Sequence, residues 1–341
     1  MLLLVVKYGE ARRLREHIGI AWRRFEVQRM RQRMSRRQRA EAFSGFLFIL
    51  PWVIGFLVFT AGPVIASLTL SFCKWDILTP VKFVGFGNYA KMAQDPLVRK
   101  SLLNTLYYAA FAIPLGMCGA LGTALLLNQK LSGMRLFRTL FYVPSVTSGV
   151  ATYLLWSWIF NPELGLLNRA LRHQVWWLDF SKGIHWKIVP LVANPPKWLA
   201  DPNWAMPALI IMSLWGVGGG MLIYLAGLQG IPEELYEAAI LDGANNVQKF
   251  RYVTIPMLSP TIFFNLIMSI IGAFQVFGAA FIMTGGGPMN ATLFYVLYLF
   301  QNAFMYFRMG YASAMAWVLF IIILTLTLIQ FRLSRKWVHY Q

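Results

Sequence analysis

Glu233-Glu-Leu-Tyr-Glu-Ala-Ala-Ile-Leu-Asp-Gly-Ala-Asn-Asn-Val-Gln-Lys-Phe-Arg-Tyr-Val-Thr-Ile-Pro256 is a polar segment set between two apolar stretches that carry no charge. Its residues outline a helix, a stop and a return. Pro232 suits the first helical position, where a missing N–H costs nothing. Glu233 and Glu234 follow in the first turn, favourable against the positive end of the helix dipole. Ala238 and Ala239 are good helix formers with small side chains, so another surface can approach them closely. Gly243 can take the left-handed conformation that ends a helix. A second short helix is expected over about 245–253, stopping before Pro256, where the chain re-enters apolar surroundings.

The flanks decide the class. The chain of 341 residues is 58% hydrophobic, 16% aromatic and only 13% charged, against roughly 25% charged residues in a soluble domain. Stretches free of Asp, Glu, Lys and Arg run at about 42–73, 101–129, 139–160, 203–232, 252–283 and 309–331. Each can hold the roughly 20 residues that cross a hydrocarbon core. The expected fold is all-α, a polytopic bundle of about six transmembrane helices. A further stretch, 293–307, is short and carries Gln301 and Asn302, so it is read as a re-entrant or interfacial helix. Pro114 and Pro144 are expected to kink their spans, which membrane helices tolerate.

The net charge of +18 would suggest nucleic acid in a soluble protein, but its distribution argues for a membrane surface. Twelve of the 31 Lys and Arg lie in residues 1–41, directly before the first span. That run reads as a positive-inside determinant that also meets anionic lipid, not as a nucleic-acid arm. With the N-terminus inside, 20 Lys and Arg fall in inner segments and 11 in outer ones, the expected bias, with both termini cytoplasmic. The stretch after the basic run is too long for a cleavable signal peptide. Cys73 and Cys118 read as ordinary free thiols, and the four histidines lie in separate regions, so no metal site is expected.

No span holds an ionisable side chain of the kind that proton- or ion-coupled carriers keep at membrane depth. No Gly-x-x-x-x-Gly-Lys-Ser/Thr loop is present to cradle a nucleotide. A pathway with neither needs its energy from another subunit. The alternative is an autonomous secondary carrier or channel for a small polar solute. A membrane-embedded enzyme would need a cluster of His, Asp, Glu or Cys at depth, and the spans contain none.

The 233–256 segment also has a fixed pattern: Glu237-Ala238-Ala239, three residues, Gly243, nine residues, then Val253-x-Ile255-Pro256. It resembles the loop signature of permease subunits of binding-protein-dependent ABC importers. Phe83-Val-Gly-Phe-Gly-Asn-Tyr89, Ser101-Leu-Leu-Asn-Thr105, Arg138-Thr-Leu-Phe-Tyr-Val-Pro144 and Thr284-Gly-Gly-Gly-Pro288 with Thr292 extend the likeness in order and spacing. It is similar to the subgroup that imports oligosaccharides and glycerol phosphate. The resemblance covers about 42–335 and implies a type I ABC importer permease domain there. A basic tail over 1–41 would precede it and a short cytoplasmic end over 336–341 would follow. It implies that the 232–256 loop, through Glu237, Ala238, Ala239, Asp242, Gly243 and Pro256, sits in a cleft of an ATP-binding subunit and transmits its closure. It further implies a second homologous permease, most simply as a heterodimer, two ATP-binding subunits that hold ATP and Mg, and an extracytoplasmic solute-binding protein. The place would be the bacterial cytoplasmic membrane, and this chain itself would bind no cofactor.

An uncharged sugar needs amides, hydroxyls and aromatic faces. Asn265, Ser269 and Gln275 recur at roughly helical spacing on the fifth span, and Trp215-Gly-Val-Gly-Gly-Gly220 leaves bare backbone beside a ring. Trp215, Gly216, Gly219, Asn265, Ser269 and Gln275 are therefore candidate pathway residues, with helix packing as the competing explanation. The outer loop at about 172–197, with Trp176, Trp177, Trp186 and nearby Trp198, is longer than the family pattern leads one to expect. Its tryptophans read as interfacial anchors or as contacts for the binding protein.

Overall fold

The computed structural model describes residues 36–129, 131–172, 174–179, 185–190, 192 and 194–339. Most of the basic run expected over 1–41 lies outside them. Two compact units divide the chain, Met1–Ala66 and Ser67–Gln341. The described part of the first is apolar helix: α1, Arg36–Phe56, a π turn at Leu57–Ala61, and the start of α2, Gly62–Ser71. Its side chains are exposed, Phe48 by 87% and Phe59 by 81%, as suits a helix whose cover is lipid.

Of the six expected spans, four appear as long apolar helical paths, one of them interrupted at Gln275–Phe277, a fifth as a bent pair, and the 139–160 stretch as two short helices. Arg39–Ser71, Pro96–Leu127, Ser259–Met283 and Met309–Ser334 are each long and apolar enough to cross a bilayer. Pro202–Gly216 and Gly218–Gln229 meet at a 45° bend and make a fifth crossing when taken together. The 139–160 stretch is two shorter helices, Met134–Val146 and Gly149–Ile159, parted at Thr147, whose backbone is extended. Pro114 lies inside the unbroken helix Pro96–Leu127, whereas the helix holding Pro144 ends at Val146. The 293–307 stretch is a six-residue helix, Tyr295–Phe300, with a π turn at Gln301–Met305.

Two π turns share a cause. Gly62 precedes Pro63 and donates to Leu57 O; Ile255 precedes Pro256 and donates to Phe250 O. A proline has no N–H for the carbonyl four residues back, and its ring crowds that carbonyl. Widening the preceding turn by one residue carries the helix past the ring.

Two features lie outside the all-helical expectation. Cys73–Lys74 pairs with Lys82–Phe83, and Gln174–Asp179 pairs with His185–Pro190, both antiparallel. The second ribbon occupies the long loop at about 172–197. Trp198 beside it is 6% exposed and donates its indole N–H to Asn168 Oδ1 at 2.7 Å, so it is a buried clasp and not an interfacial anchor.

The helix Pro96–Leu127 organises the second unit. At one half Ala120 and Ala124 are buried against Met221, Tyr224 and Leu228. A methyl added to Gly220 would lie 3.2 Å from Ala120 Cβ, so small side chains set this approach. At its beginning, hydrogen bonds replace apolar packing. Asp95 caps the helix, its Oδ1 accepting from Leu97 N–H at 2.9 Å, while its Oδ2 accepts from the Tyr298 and Tyr311 hydroxyls at 2.7 and 2.8 Å. Asn104 donates to the Asn290 and Leu293 carbonyls, and Thr105 Oγ1 accepts from Tyr295 N–H. The Tyr295 hydroxyl in turn reaches Met315 O at 3.0 Å. Burial acts to raise the Asp95 pKa, but the bonds from Tyr298, Tyr311, Leu97 and Val98 outweigh it and hold the carboxyl below its ordinary value.

Candidate functional site

The 233–256 elbow folds much as its residues prescribe. The helix Glu233–Leu241 starts with Pro232 at the N-cap, φ −57° and ψ 134°, one position earlier than expected. Proline's φ fits either place, and its extended ψ breaks the preceding turn. Gly243 lies at φ +79°. Its N–H bonds Ile240 O at 3.0 Å and Ala244 N–H bonds Ala239 O at 2.9 Å, the paired closure of a Schellman end. Asn245 and Gln248 then cap each other, backbone to side chain, at 2.7 and 2.9 Å. The second helix, Asn246–Lys249, is shorter than expected and does not stop before Pro256. It runs through the π turn Phe250–Thr254 into Ile255–Met257.

Tyr236 Oη lies 3.0 Å from Thr254 Oγ1 and ties the first helix to the return. Glu237, Ala238, Asp242 and Gly243 are exposed, and Ala239 and Pro256 are half-buried. Beside them Leu241 is 88% and Val247 73% exposed. With Ile240 and Tyr252, 56% and 70% exposed, they give the polar loop an open apolar face.

A cavity of about 450 Å³ opens where three helical paths break. The break at Thr147 brings Ser145, Thr147, Thr152 and Tyr153 to it. The turn at Leu214–Gly216 brings Ser213, Trp215 and Gly216. The gap between Ser259–Phe274 and Gly278–Met283 brings Gln275 and Phe277. Tyr108 closes a side from Pro96–Leu127. Broken helices free backbone groups, which membrane proteins accept only beside protein or a wet cavity. None of the lining residues is Asp, Glu, Lys, Arg or His. The wall therefore offers hydroxyls, one amide, aromatic faces and loose backbone, the chemistry that holds a neutral polyhydroxylated solute.

A smaller hollow of about 160 Å³ adjoins it, sharing Ser213 and Gly216, and holds Asn265 and Ser269. The structure thus brings Trp215, Gly216 and Gln275 to the large cavity and Gly216, Asn265 and Ser269 to the small one. Gly219 lines neither; its nearest outside neighbour is Ser145. Gln275 leaves the face of Asn265 and Ser269 because the helix ends at Phe274. Asn265 is 7% exposed and donates to Thr261 O at 3.1 Å within its own helix. Tyr108, Ser145, Thr147, Thr152, Tyr153, Ser213 and Phe277 also line the large cavity, and helical spacing alone does not single them out. The polar run Ser145-Val-Thr-Ser-Gly149 inside an apolar stretch was the available signal.

Comparison with known proteins places the chain in a family. Residues 112–339 match the family model "Binding-protein-dependent transport system inner membrane component". The probable ABC transporter permease protein YesP of Bacillus subtilis is 44% identical over 311 residues, 90% of this chain and 95% of that protein. The lactose transport system permease protein LacF of Rhizobium radiobacter is 33% identical over 298 residues, 86% of this chain and 94% of that one. A crystal structure of a bacterial ABC transporter involved in alginate import aligns with a TM-score of 0.73 at 22% identity, covering 87% of this chain and 96% of its own, and shares the fold. With two thirds of its length inside the family model and near-complete matches to such relatives, the chain belongs to the binding-protein-dependent inner-membrane components, as a permease subunit of an ABC importer.

Proposed function

We propose that this permease forms half of a translocation path for a neutral carbohydrate, and that the 233–256 elbow receives the stroke of an ATP-binding subunit. The observation that carries the first part is the uncharged cavity at the meeting of three helix breaks. LacF is a lactose transport permease by name, and a saccharide of that kind suits hydroxyl, amide and ring contacts. A single chain walls its cavity from one side, so a second, homologous permease completes it. Two ATP-binding subunits hold ATP and Mg, and an extracytoplasmic binding protein delivers the sugar.

For the elbow, the supporting features are a rigidly capped helix pair and its exposed Leu241 and Val247. Glu237, Ala238, Ala239, Asp242, Gly243 and Pro256 act as shape and capping elements that the partner's cleft grips. In this orientation the elbow and both termini face the cytoplasm. Reconstitution of the complete transporter in liposomes tests the reading. Uptake of a neutral oligosaccharide that needs ATP and both permeases supports it; uptake by this chain alone, without ATP, overturns it in favour of a carrier.

A further inference from the structure

At the end of the bundle away from the elbow lies a second hollow, of about 470 Å³. The two ends are fixed by the last helix, Met309–Ser334. His339 N–H, just past its finish, bonds Ser259 Oγ beside the elbow's return. Its start bonds the loop after α2, Gly310 N–H to Trp75 O at 3.3 Å. Twenty-six helical residues separate those contacts by roughly 39 Å.

Lys74, Lys91 and Arg308 line this hollow together with Trp75, Asp76 and Tyr311. Lys74 comes three residues after α2 ends at Ser71, and Arg308 directly precedes the last helix. Both therefore stand at the depth where a bilayer's headgroups lie. The ammonium of Lys91 sits 5.6 Å from the Tyr311 ring centre, and the Arg308 guanidinium 5.7 Å from that of Tyr306. Among the described residues none of the three cations has a carboxylate within 4.0 Å, and the ion pair present there is Arg37–Glu41. Asp76 is turned to its own loop, accepting from Thr79 N–H at 2.8 Å and Thr79 Oγ1 at 2.6 Å. The lining keeps a net charge of +2. One wall is held firmly, because Asn88 is buried and spends both amide hydrogens on Ser71 O and Cys73 O, at 2.8 and 2.9 Å.

We infer that this hollow binds the phosphate of an anionic phospholipid from the leaflet opposite the elbow. Unpaired cations at headgroup depth attract a phosphate monoanion, and Arg and Lys are its usual partners. The neighbouring surface is apolar: Leu78 is 90%, Phe86 73% and Phe307 50% exposed. Charge beside open apolar side chains matches an amphiphile, whose head meets the cations while its chains cover the rest. An acidic protein segment would satisfy the cations and leave those side chains bare.

The test is native mass spectrometry of the full-length chain released from nanodiscs that contain phosphatidylglycerol and phosphatidylcholine in equal amounts. The wild type should retain phosphatidylglycerol adducts in preference to phosphatidylcholine. K74Q/K91Q/R308Q should weaken that retention on the order of 100-fold, from three cations near the surface. R169Q/K197Q, which removes two charges elsewhere, should leave it unchanged. Since the triple variant can fail to fold, R308Q alone is measured beside it and should give a several-fold loss. Equal retention by wild type and both Arg308 variants overturns the site. So does displacement of the adduct by millimolar inorganic phosphate, or a variant that keeps its lipid and loses only the solute-binding protein.

Discussion

Where the helix Pro96–Leu127 begins, three distant segments converge on a few atoms: Asp95 holds Tyr298 and Tyr311, Asn104 holds the 290–293 turn, and Thr105 holds Tyr295. The 233–256 elbow is built the other way. Its capping bonds, Gly243 to Ile240, Ala244 to Ala239, Asn245 with Gln248 and Tyr236 with Thr254, all close within the elbow itself. Its apolar side chains stand open, with Leu241 nearly fully exposed. One region is a lock between segments. The other is a stiff part offered to something outside. On the proposed coupling role, a displacement applied at the elbow would be carried as a body, and the broken helices between the elbow and the locked end would be where the path gives.

Substitutions break this contrast in different ways. The largest effect is expected from Gly243→Pro, which cannot reach φ +79°. A local penalty of about 3 kcal/mol or more should lower ATP-driven uptake by roughly two orders of magnitude, with the protein still present in the membrane. Glu237→Lys should act in the same direction, leaving the fold intact and reversing charge on an exposed position. Wild-type uptake by both would remove the coupling role.

At the locked end, Asp95→Asn weakens two charged hydrogen bonds and should cost about 1.5–3 kcal/mol of stability, read from thermal unfolding in detergent. ATP hydrolysed per sugar moved should stay constant, because the elbow is untouched. The same carboxylate sets a pH dependence. Its folded pKa is below the ordinary 3.8, so its contribution is present above that value and is lost as pH falls through the folded one. Thermal stability of the wild type should drop between pH 5 and 3 more steeply than that of Asp95→Asn; identical profiles would show that the tyrosines do not depend on the charge.

Between the two ends, Gln275→Leu removes an amide from the cavity. Losing one hydrogen bond of about 1 kcal/mol should raise the half-saturating sugar concentration about fivefold, with a smaller change for Ser269→Leu in the side hollow. If neither variant alters affinity or rate, the cavity is not the sugar path. The smallest effect belongs to Tyr236→Phe, which loses the 3.0 Å contact with Thr254. It should cost about 0.5–1 kcal/mol, seen as faster amide exchange over 233–241.

The elbow was legible because its devices are local. A proline, two glutamates, small residues and a glycine in sequence are enough to specify a helix and its stop. Pro256 misled for a good reason: a proline ends a helix by default, and only the wide turn before it lets the winding continue. The Asn245–Gln248 box is equally local, an Asn with a Gln three residues on. The cavity was less legible. It depends on where helices stop, and helical spacing carried Gln275 onto the face of Asn265 and Ser269, one residue beyond the end of that helix. The lock around Asp95 joins residues some 200 positions apart in sequence, and no periodicity marks such a pair. The two short ribbons lie in loops between spans, where hydropathy is silent.

The wall of the 450 Å³ cavity contains no carboxylate, amine, guanidinium or imidazole. Moving a unit charge through a membrane potential exchanges about 2.3 kcal/mol per 100 mV, and this wall has no such charge to move. If this wall lines the sugar's path, polarising the bilayer would do no electrical work on its side chains, and acidifying the medium across neutrality would leave them unchanged. Voltage sensitivity in the assembled pump would then have to enter through charges outside this wall or through the cargo itself.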